Sequence, residues 1–207
     1  MIILNDEQGS QEWLLSRLGK VSASSVSKLI GAQGKPSTQA QGYINQLIAE
    51  TITGELPEQY TNSAMERGNE LEPDARRLYE FLTDSEVVEV GFCLHDTIAA
   101  GFSPDGLVGD DGGLEIKCPA PHTHVEYIRS GKVPTKYIPQ IQMALWISDR
   151  KWWDFMSYHP KIEPLIVRVE RDDAYIEKLA QAVTQAAMVI DKEVERLATT
   201  KGDKNEH

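Results

Sequence analysis

The sequence predicts a mixed α/β fold in which helices pack against a central β-sheet. Leu71, Ala75, Leu78 and Leu82 recur at helical spacing, and further helical stretches precede and follow this one. Short segments rich in β-branched and aromatic residues come next and are separated by Gly and Asp, which is typical of strands joined by tight turns. Helices followed by strands, more helices, two strands and a last helix are typical of a mixed α/β domain.

Seven helices are predicted from these patterns. They cover residues 10–18, 22–30, 38–53, 63–83, 121–130, 136–148 and 172–198. The first three end at Gly19, Gly31 and Gly54, because glycine readily adopts the left-handed conformation that ends a helix. Pro73 interrupts the fourth, so a kink or a fresh start near Glu72 is expected.

Six strand segments complete the predicted fold. Residues 87–94, 98–102, 106–108 and 114–118 are expected to form a four-strand meander, followed by strands at 152–158 and 165–169. The sequence shows no internal repeat and no low-complexity linker, so residues 1–198 are predicted to form one domain. The polar residues 199–207 are predicted to be a mobile tail.

Composition and charge limit the classes of function. The 207 residues are 41% hydrophobic and 26% charged, which excludes wholesale disorder. No apolar run approaches the ~20 residues of a membrane span, and no signal peptide is visible. Two cysteines suit a reducing compartment, so a cytoplasmic location is expected. A net charge of −11 argues, on average, against a protein that coats nucleic acid.

The charge is unevenly distributed along the chain. Residues 61–120 contain 13 acidic and 4 basic side chains, a net charge of −9, whereas residues 121–160 contain 3 and 5, a net charge of +2. An acidic average therefore does not by itself exclude a nucleic-acid partner. The basic residues of the second segment could contact DNA phosphates or face solvent. They are Arg129, Lys132, Lys136, Arg150 and Lys151.

The residues that point to chemistry lie in segments 103–106 and 114–118. Because side chains alternate along a strand, Glu115 and Lys117 share one face. Asp105 begins the partner strand, so its carboxylate is expected near Glu115. Two carboxylates beside one ammonium favour a divalent metal, Mg²⁺ or Mn²⁺, and such a set is typical of phosphodiester hydrolysis. The alternative is a solvent-facing strand with a stabilising ion pair.

Pro104 and Asp105, with Glu115, Ile116 and Lys117 ten positions further on, match the PD-(D/E)xK nuclease signature. The wider sequence resembles the lambda-exonuclease or YqaJ-type viral recombinase branch of that superfamily. The segments that carry the resemblance are residues 13–19, 22–24, 67–76, 103–106, 115–119 and 139–146, in unchanged order.

This resemblance implies a restriction-endonuclease-like core, a central mixed β-sheet flanked by helices. It implies Mg²⁺-dependent 5′-to-3′ digestion of one strand of duplex DNA, with Mn²⁺ as a substitute. Implied partners are duplex DNA ends, further copies in a homotrimeric ring and a single-strand annealing protein; the implied origin is bacterial, phage or prophage. The alternatives are a structure-specific DNA endonuclease on the same core and a catalytically silent DNA-end-binding module.

The resemblance also assigns roles to individual residues. The implied metal ligands are Asp105, Glu115, the backbone carbonyl of Ile116 and the helix-borne Glu72. Lys117 is the implied catalytic lysine, and Gln142 is implied to lie near the attacking water. Arg17, Ser24 and Ser103 are implied to hold a terminal 5′-phosphate.

Three of these assignments have competitors. Glu70 lies two positions from Glu72, and the sequence alone does not choose between them. Gln140 and Gln142 cannot share a helix face, and Gln142 is predicted because its match to the motif is closer. Arg17 could instead form a surface ion pair, and the serines that follow it could be helix N-caps.

Overall fold

A computed structural model describes residues 1–56 and 63–202, except for the side chains of residues 63–66 and 200–202. The helices are α1 (Gln11–Arg17), α2 (Ala40–Thr53), α3 (Ser63–Thr83), α4 (Pro121–Ser130), α5 (Ile138–Ser148) and α6 (Asp173–Gly202), with 3₁₀ segments at Ala23–Lys28 and Thr135–Tyr137. The strands are β1 (Ile2–Ile3), β2 (Val21–Ser22), β3 (Val87–Val88), β4 (Cys93–Leu94), β5 (Ala100–Phe102), β6 (Gly106–Val108), β7 (Gly112–Lys117), β8 (Trp152–His159) and β9 (Ile162–Glu170). None of the helices in these two described ranges is both long and apolar enough to span a bilayer.

The strands form two mixed sheets. In the five-stranded sheet the order is β3-β6-β7-β8-β9, with β7 and β8 parallel and the other pairs antiparallel. In the four-stranded sheet the order is β1-β4-β5-β2, with β5 and β2 parallel. The predicted mixed α/β class is confirmed. The prediction of one four-strand meander is wrong, because its strands are divided between the two sheets.

The meander prediction fails in residues 87–94, which pass from one sheet to the other between β3 and β4. Gly91 lies at this crossing, and a Cβ there would collide with the carbonyl oxygens of Leu4 and Asp6. Leu4 N also donates to the carbonyl of Phe92 at 2.9 Å. β1 and β2 have two residues each, too few to show the alternation by which a strand is recognised in sequence.

The predicted helices are present, with three differences. Residues 22–30 contain only the 3₁₀ segment. α3 runs through Pro73 as a single helix without a fresh start, and Pro73 lies on its exposed side, where water can solvate the backbone carbonyl that proline leaves free. α6 reaches Gly202, four residues beyond the predicted end, and residues 203–207 of the predicted tail lie outside the described residues.

Both faces of the five-stranded sheet are covered. On one face, α3 packs Ala75 and Tyr79 against Leu114 and Ile116 of β7. The other face contributes Phe155 and its neighbours to a larger core that includes residues of α2, α5 and α6. β7 is therefore a central strand whose apolar residues meet α3. Its polar residues point to the opposite face, where α5 lies.

Candidate active site

The predicted acidic residues and lysine meet at the ends of β6 and β7. The Lys117 Nζ lies 2.5 Å from Oε1 of Glu115, whose side chain is almost fully buried. Asp105 Oδ2 accepts a hydrogen bond from the backbone N–H of Ile116 at 2.5 Å. The ring centroid of Tyr137 lies 5.7 Å from the lysine nitrogen. The structure therefore brings Asp105, Glu115 and Lys117 together as the strand pattern predicts.

The turn between β6 and β7 is held by Arg150, for which the sequence left open a contact with DNA phosphates or exposure to solvent. Arg150 donates to the carbonyls of Val108, Gly109 and Gly112 at 3.4, 2.7 and 2.6 Å. Its neighbour Lys151 pairs with Asp111 at 2.7 Å. Two of the five basic residues of segment 121–160 that could contact DNA phosphates are thus engaged in contacts with this hairpin.

Glu72 reaches the same region from α3. Arg76, one turn further along, donates to Glu72 Oε1 at 2.7 Å and to the backbone carbonyl of Asp105 at 2.9 Å. It also lies 2.9 Å from Glu89. Glu70 is exposed, whereas Glu72 is half-buried. The structure therefore places Glu72 next to Asp105, and it adds Arg76, which the spacing of four residues from Glu72 could have indicated.

Burial and mutual repulsion alter the charge state of these groups. Burial, reinforced by the charge of Asp105, raises the pKa of Glu72 to about 7. Burial likewise raises the pKa of Glu115 to about 7, although Lys117 opposes the shift. The pKa of Asp105 is also raised by burial. For Lys117 burial favours the neutral amine, but the adjacent carboxylates of Glu115 and Asp105 outweigh it and raise the pKa.

These carboxylates are engaged with protein groups, and no three His, Cys, Asp or Glu side chains in the described part of the chain are gathered tightly enough to hold an ion. Lys117 and Gln140 share one oxygen of Glu115, Ile116 N holds Asp105, and Arg76 holds Glu72. The donor set nevertheless fits a hard divalent cation, because it consists of oxygens whose negative charges disfavour one another.

The glutamine assignment from the sequence is corrected. Gln140 Nε2 donates to Glu115 Oε1 at 2.6 Å, so this residue faces the carboxylates. Gln142 is buried on another side of α5, where it donates to the carbonyl of Glu170 at 2.8 Å and accepts from Asp172 N at 3.0 Å. Residues two apart on a helix point in nearly opposite directions, so only one of the two can reach the site.

The predicted phosphate-binding residues form a second group beside the first. The Arg17 guanidinium donates to Ser24 Oγ at 3.3 Å and stacks 4.1 Å from the ring centroid of Trp13. Trp13 Nε1 in turn donates to Ser103 Oγ at 3.0 Å. One small cavity joins this group to the carboxylate site; its lining includes Arg17, Ser24, Ser103, Glu115 and Gln140.

Residues 12–151 match the family model of the YqaJ-like viral recombinase domain. This span contains both groups of side chains and strands β2 to β7. The chain belongs to this family.

Solved structures resemble the YqaJ-like domain over nearly its whole length. An alkaline exonuclease (LHK-Exo) from Laribacter hongkongensis shares 40% identity over 94% of this chain and 99% of that protein, with a TM-score of 0.85. The complex of LHK-Exo with dAMP has the same identity and coverage and a TM-score of 0.83. A phage-related exonuclease from Haemophilus somnus 129PT is 19% identical over 86% of this chain and 96% of that one, with a TM-score of 0.67, and shows the fold alone. No curated protein matches.

Helix α2 of the YqaJ-like domain packs against the segment that carries Arg17 and Ser24. The buried carboxylate of Glu50 accepts from Gly19 N at 3.1 Å and from Gln46 Nε2 at 2.7 Å. Tyr43 Oη accepts from Ser22 N at 3.1 Å. Gly19 has a φ of +66°, and a Cβ there would collide with a side chain of α2. These contacts fix the turn between Arg17 and the serines, and nothing local in the sequence marks them.

A cleft of about 1150 Å³ adjoins both groups in the YqaJ-like domain. Its lining includes Arg17 from the phosphate side and Glu72, Asp105 and Arg76 from the carboxylate side. Arg17 lines the small cavity as well, so it stands where the two spaces meet.

Proposed function

We propose that this chain is a metal-dependent exonuclease that digests one strand of duplex DNA from its 5′ end. The observation that carries the proposal is the small cavity shared by Arg17, Ser24 and Ser103 with Glu115 and Gln140. A guanidinium with two hydroxyls suits a terminal phosphate. The neighbouring carboxylates and lysine suit hydrolysis of the next phosphodiester along the strand.

Family membership and the 40% identical alkaline exonuclease support a nuclease that acts on DNA. The same relative binds dAMP, a nucleoside 5′-monophosphate. An enzyme that removes nucleotides from a 5′-phosphorylated end by breaking the P–O3′ bond releases this class of product. The relative therefore supports a pocket for a single nucleotide that carries a 5′-phosphate.

In the proposed reaction a water oxygen adds to phosphorus and the P–O3′ bond breaks. Arg17, Ser24 and Ser103 hold the terminal phosphate and so set which bond lies beside Glu115. Lys117, kept as an ammonium by its carboxylate neighbours, places positive charge where negative charge develops. Gln140, held by Glu115, is positioned to orient the water. The shortened strand carries a new 5′-phosphate, which can occupy the same pocket.

The proposed metal is Mg²⁺, with Mn²⁺ as a substitute. Asp105, Glu115, Glu72 and the backbone carbonyl of Ile116 are the residues that would hold it. When bound, the ion supplies Lewis-acid stabilisation of charge on the reacting phosphate. Arg76 keeps Glu72 and the backbone of Asp105 in place for this purpose.

Two further parts of the proposal concern partners. We expect a homotrimeric ring, because a ring around DNA would allow successive cuts without an energy source. We expect the remaining 3′ strand to pass to a single-strand annealing protein, a role that fits the viral recombinase family. Sedimentation analysis with and without duplex DNA tests the ring, and co-sedimentation with a candidate annealing protein tests the partner.

A time course on duplex DNA labelled at either end tests the central proposal. With Mg²⁺ we expect mononucleotides to be released from the 5′ end of one strand and none from closed circles. Cleavage of circles would favour the structure-specific endonuclease instead. Absence of any cleavage with Mg²⁺ or Mn²⁺, together with retained DNA binding, would favour the catalytically silent module.

A further inference from the structure

The cleft is lined by two sets of elements that differ in charge. Arg17 lines the cleft from the end of α1, and the segment that follows α1 contributes Lys20 and Lys28. The N-terminal loop and residues 89–91 contribute mostly acidic or uncharged side chains, as does α3 apart from Arg76. An anionic polymer in this cleft is therefore drawn to the side of Lys20 and Lys28.

Lys20 is half-buried without a compensating carboxylate. No ion pair of Lys20 occurs among residues 1–56 and 67–199, whose side chains the structure describes, and within these ranges its ammonium contacts only the carbonyl of Leu18 at 3.5 Å. Burial lowers its pKa accordingly. The acidic residue of the same side, Glu50, is occupied by Gly19 and Gln46. A partly buried ammonium without a counter-charge is costly unless a ligand supplies one.

Lys28 completes the basic side of the cleft. Its ammonium lies 5.1 Å from the ring centroid of Tyr43, the α2 residue that also holds Ser22. In the described part of the chain it too has no carboxylate partner. By contrast, Lys151 on the β6–β7 hairpin is paired with Asp111. Both cleft lysines thus keep their charge available to something outside the protein.

We propose that Lys20 and Lys28 form a backbone-phosphate site for the DNA that leads into the small cavity, one or more nucleotides behind the terminal phosphate held by Arg17. The ligand class is a nucleic-acid backbone, bound through charge and without regard to base. This site rests on the proposed nuclease function, because it would bind the part of the same DNA substrate that is not being cut.

The test is the salt dependence of DNA binding in metal-free buffer, where no hydrolysis occurs. The probe is a fluorescent duplex with a 5′-phosphate, and the chains are wild type, Lys20→Ala, Lys28→Ala and the double variant. The slope of log K against log salt is negative, and each lost phosphate contact should make it less steep by about 0.9 if the DNA there is duplex and about 0.7 if it is single-stranded. At 0.1 M salt a slope change of 0.9 corresponds to about 8-fold weaker binding.

Lys161→Ala is the matched control, because Lys161 is exposed in the turn between β8 and β9. It should leave the slope unchanged, and Lys20→Arg should restore the wild-type slope. If Lys20→Ala and Lys28→Ala both match the control, the site does not exist. If wild-type protein cleaves no DNA but the lysine variants still make the salt dependence less steep, the proposed function fails while the binding site stands.

Discussion

The two halves of the candidate site are built on opposite principles. In the carboxylate half, charged groups satisfy one another: Lys117 is paired with Glu115 and Arg76 with Glu72. In the phosphate half, Arg17 is partnered by a hydroxyl and an aromatic ring and has no carboxylate partner among the described side chains. This difference is the basis on which we propose a cation for the first half, where it would replace internal pairs. For the second half we propose an anion, which would supply the missing negative charge.

The largest loss of activity is expected when a charged group of the carboxylate half is removed. Lys117→Ala and Asp105→Asn should each reduce strand hydrolysis at least about 100-fold, because each removes a group that stabilises charge at the reacting phosphate. Single-turnover digestion of an end-labelled duplex measures the effect, with circular dichroism to verify folding. Lys161→Ala serves as control. A folded variant at either position with near wild-type rates would remove this half from the chemistry.

Substitutions in the phosphate half should reduce activity in a way that depends on the 5′ end of the substrate. Arg17→Ala should slow digestion of 5′-phosphorylated ends by about 10- to 100-fold, the value of a lost hydrogen bond between charged groups. Ends with a 5′-hydroxyl should be much less affected, because they lack the group that Arg17 binds. Matched duplexes that differ only in this phosphate give the comparison. An equal loss on both ends would show that Arg17 acts on something other than the terminal phosphate.

The two glutamines of α5 should differ in what their substitution affects: turnover for Gln140 and stability for Gln142. Gln140→Leu should lower the turnover of folded enzyme by about tenfold, as expected when a group that orients a reactant is lost. Gln142→Leu should cost about 1–3 kcal/mol of unfolding free energy, because Glu170 O and Asp172 N lose a buried partner. Turnover and urea denaturation of both variants separate these effects. The reverse pattern would restore the assignment made from the sequence.

The sequence predicted what depends on neighbouring residues. Alternation along β7 puts Glu115 and Lys117 on one face, and a tight hairpin returns the chain to Asp105, so local rules bring these three residues together. The mixed α/β class follows in the same way from the periodicity of the segments. Arg17 and the phosphate-side serines came from resemblance to a family, because their spacing alone is equally typical of a capped surface helix.

The contacts that the sequence could not predict depend on how helices and strands are rotated and packed against one another. The rotation of α5 against the sheet decides whether Gln140 or Gln142 faces Glu115. The helical pattern of the sequence does not reveal this rotation. Arg150 belongs to a basic segment of the sequence. In the fold the β6–β7 turn lies beside it, and its guanidinium donates hydrogen bonds to three backbone carbonyls of that turn. Glu50 meets Gly19 across 31 positions of sequence, and no local pattern encodes that contact.

The smallest effect tests whether the two halves bind separate ions. At about ten times its Kd, a ligand should stabilise the protein by about 1.4 kcal/mol, which for this chain length is about 3–6 °C in Tm. We expect Mg²⁺ to raise the Tm of wild type and Arg17→Ala but not of Asp105→Asn. Inorganic phosphate should raise the Tm of wild type and Asp105→Asn but not of Arg17→Ala. If each variant lost both responses, the halves would be one coupled site, since neither could then be loaded without the other.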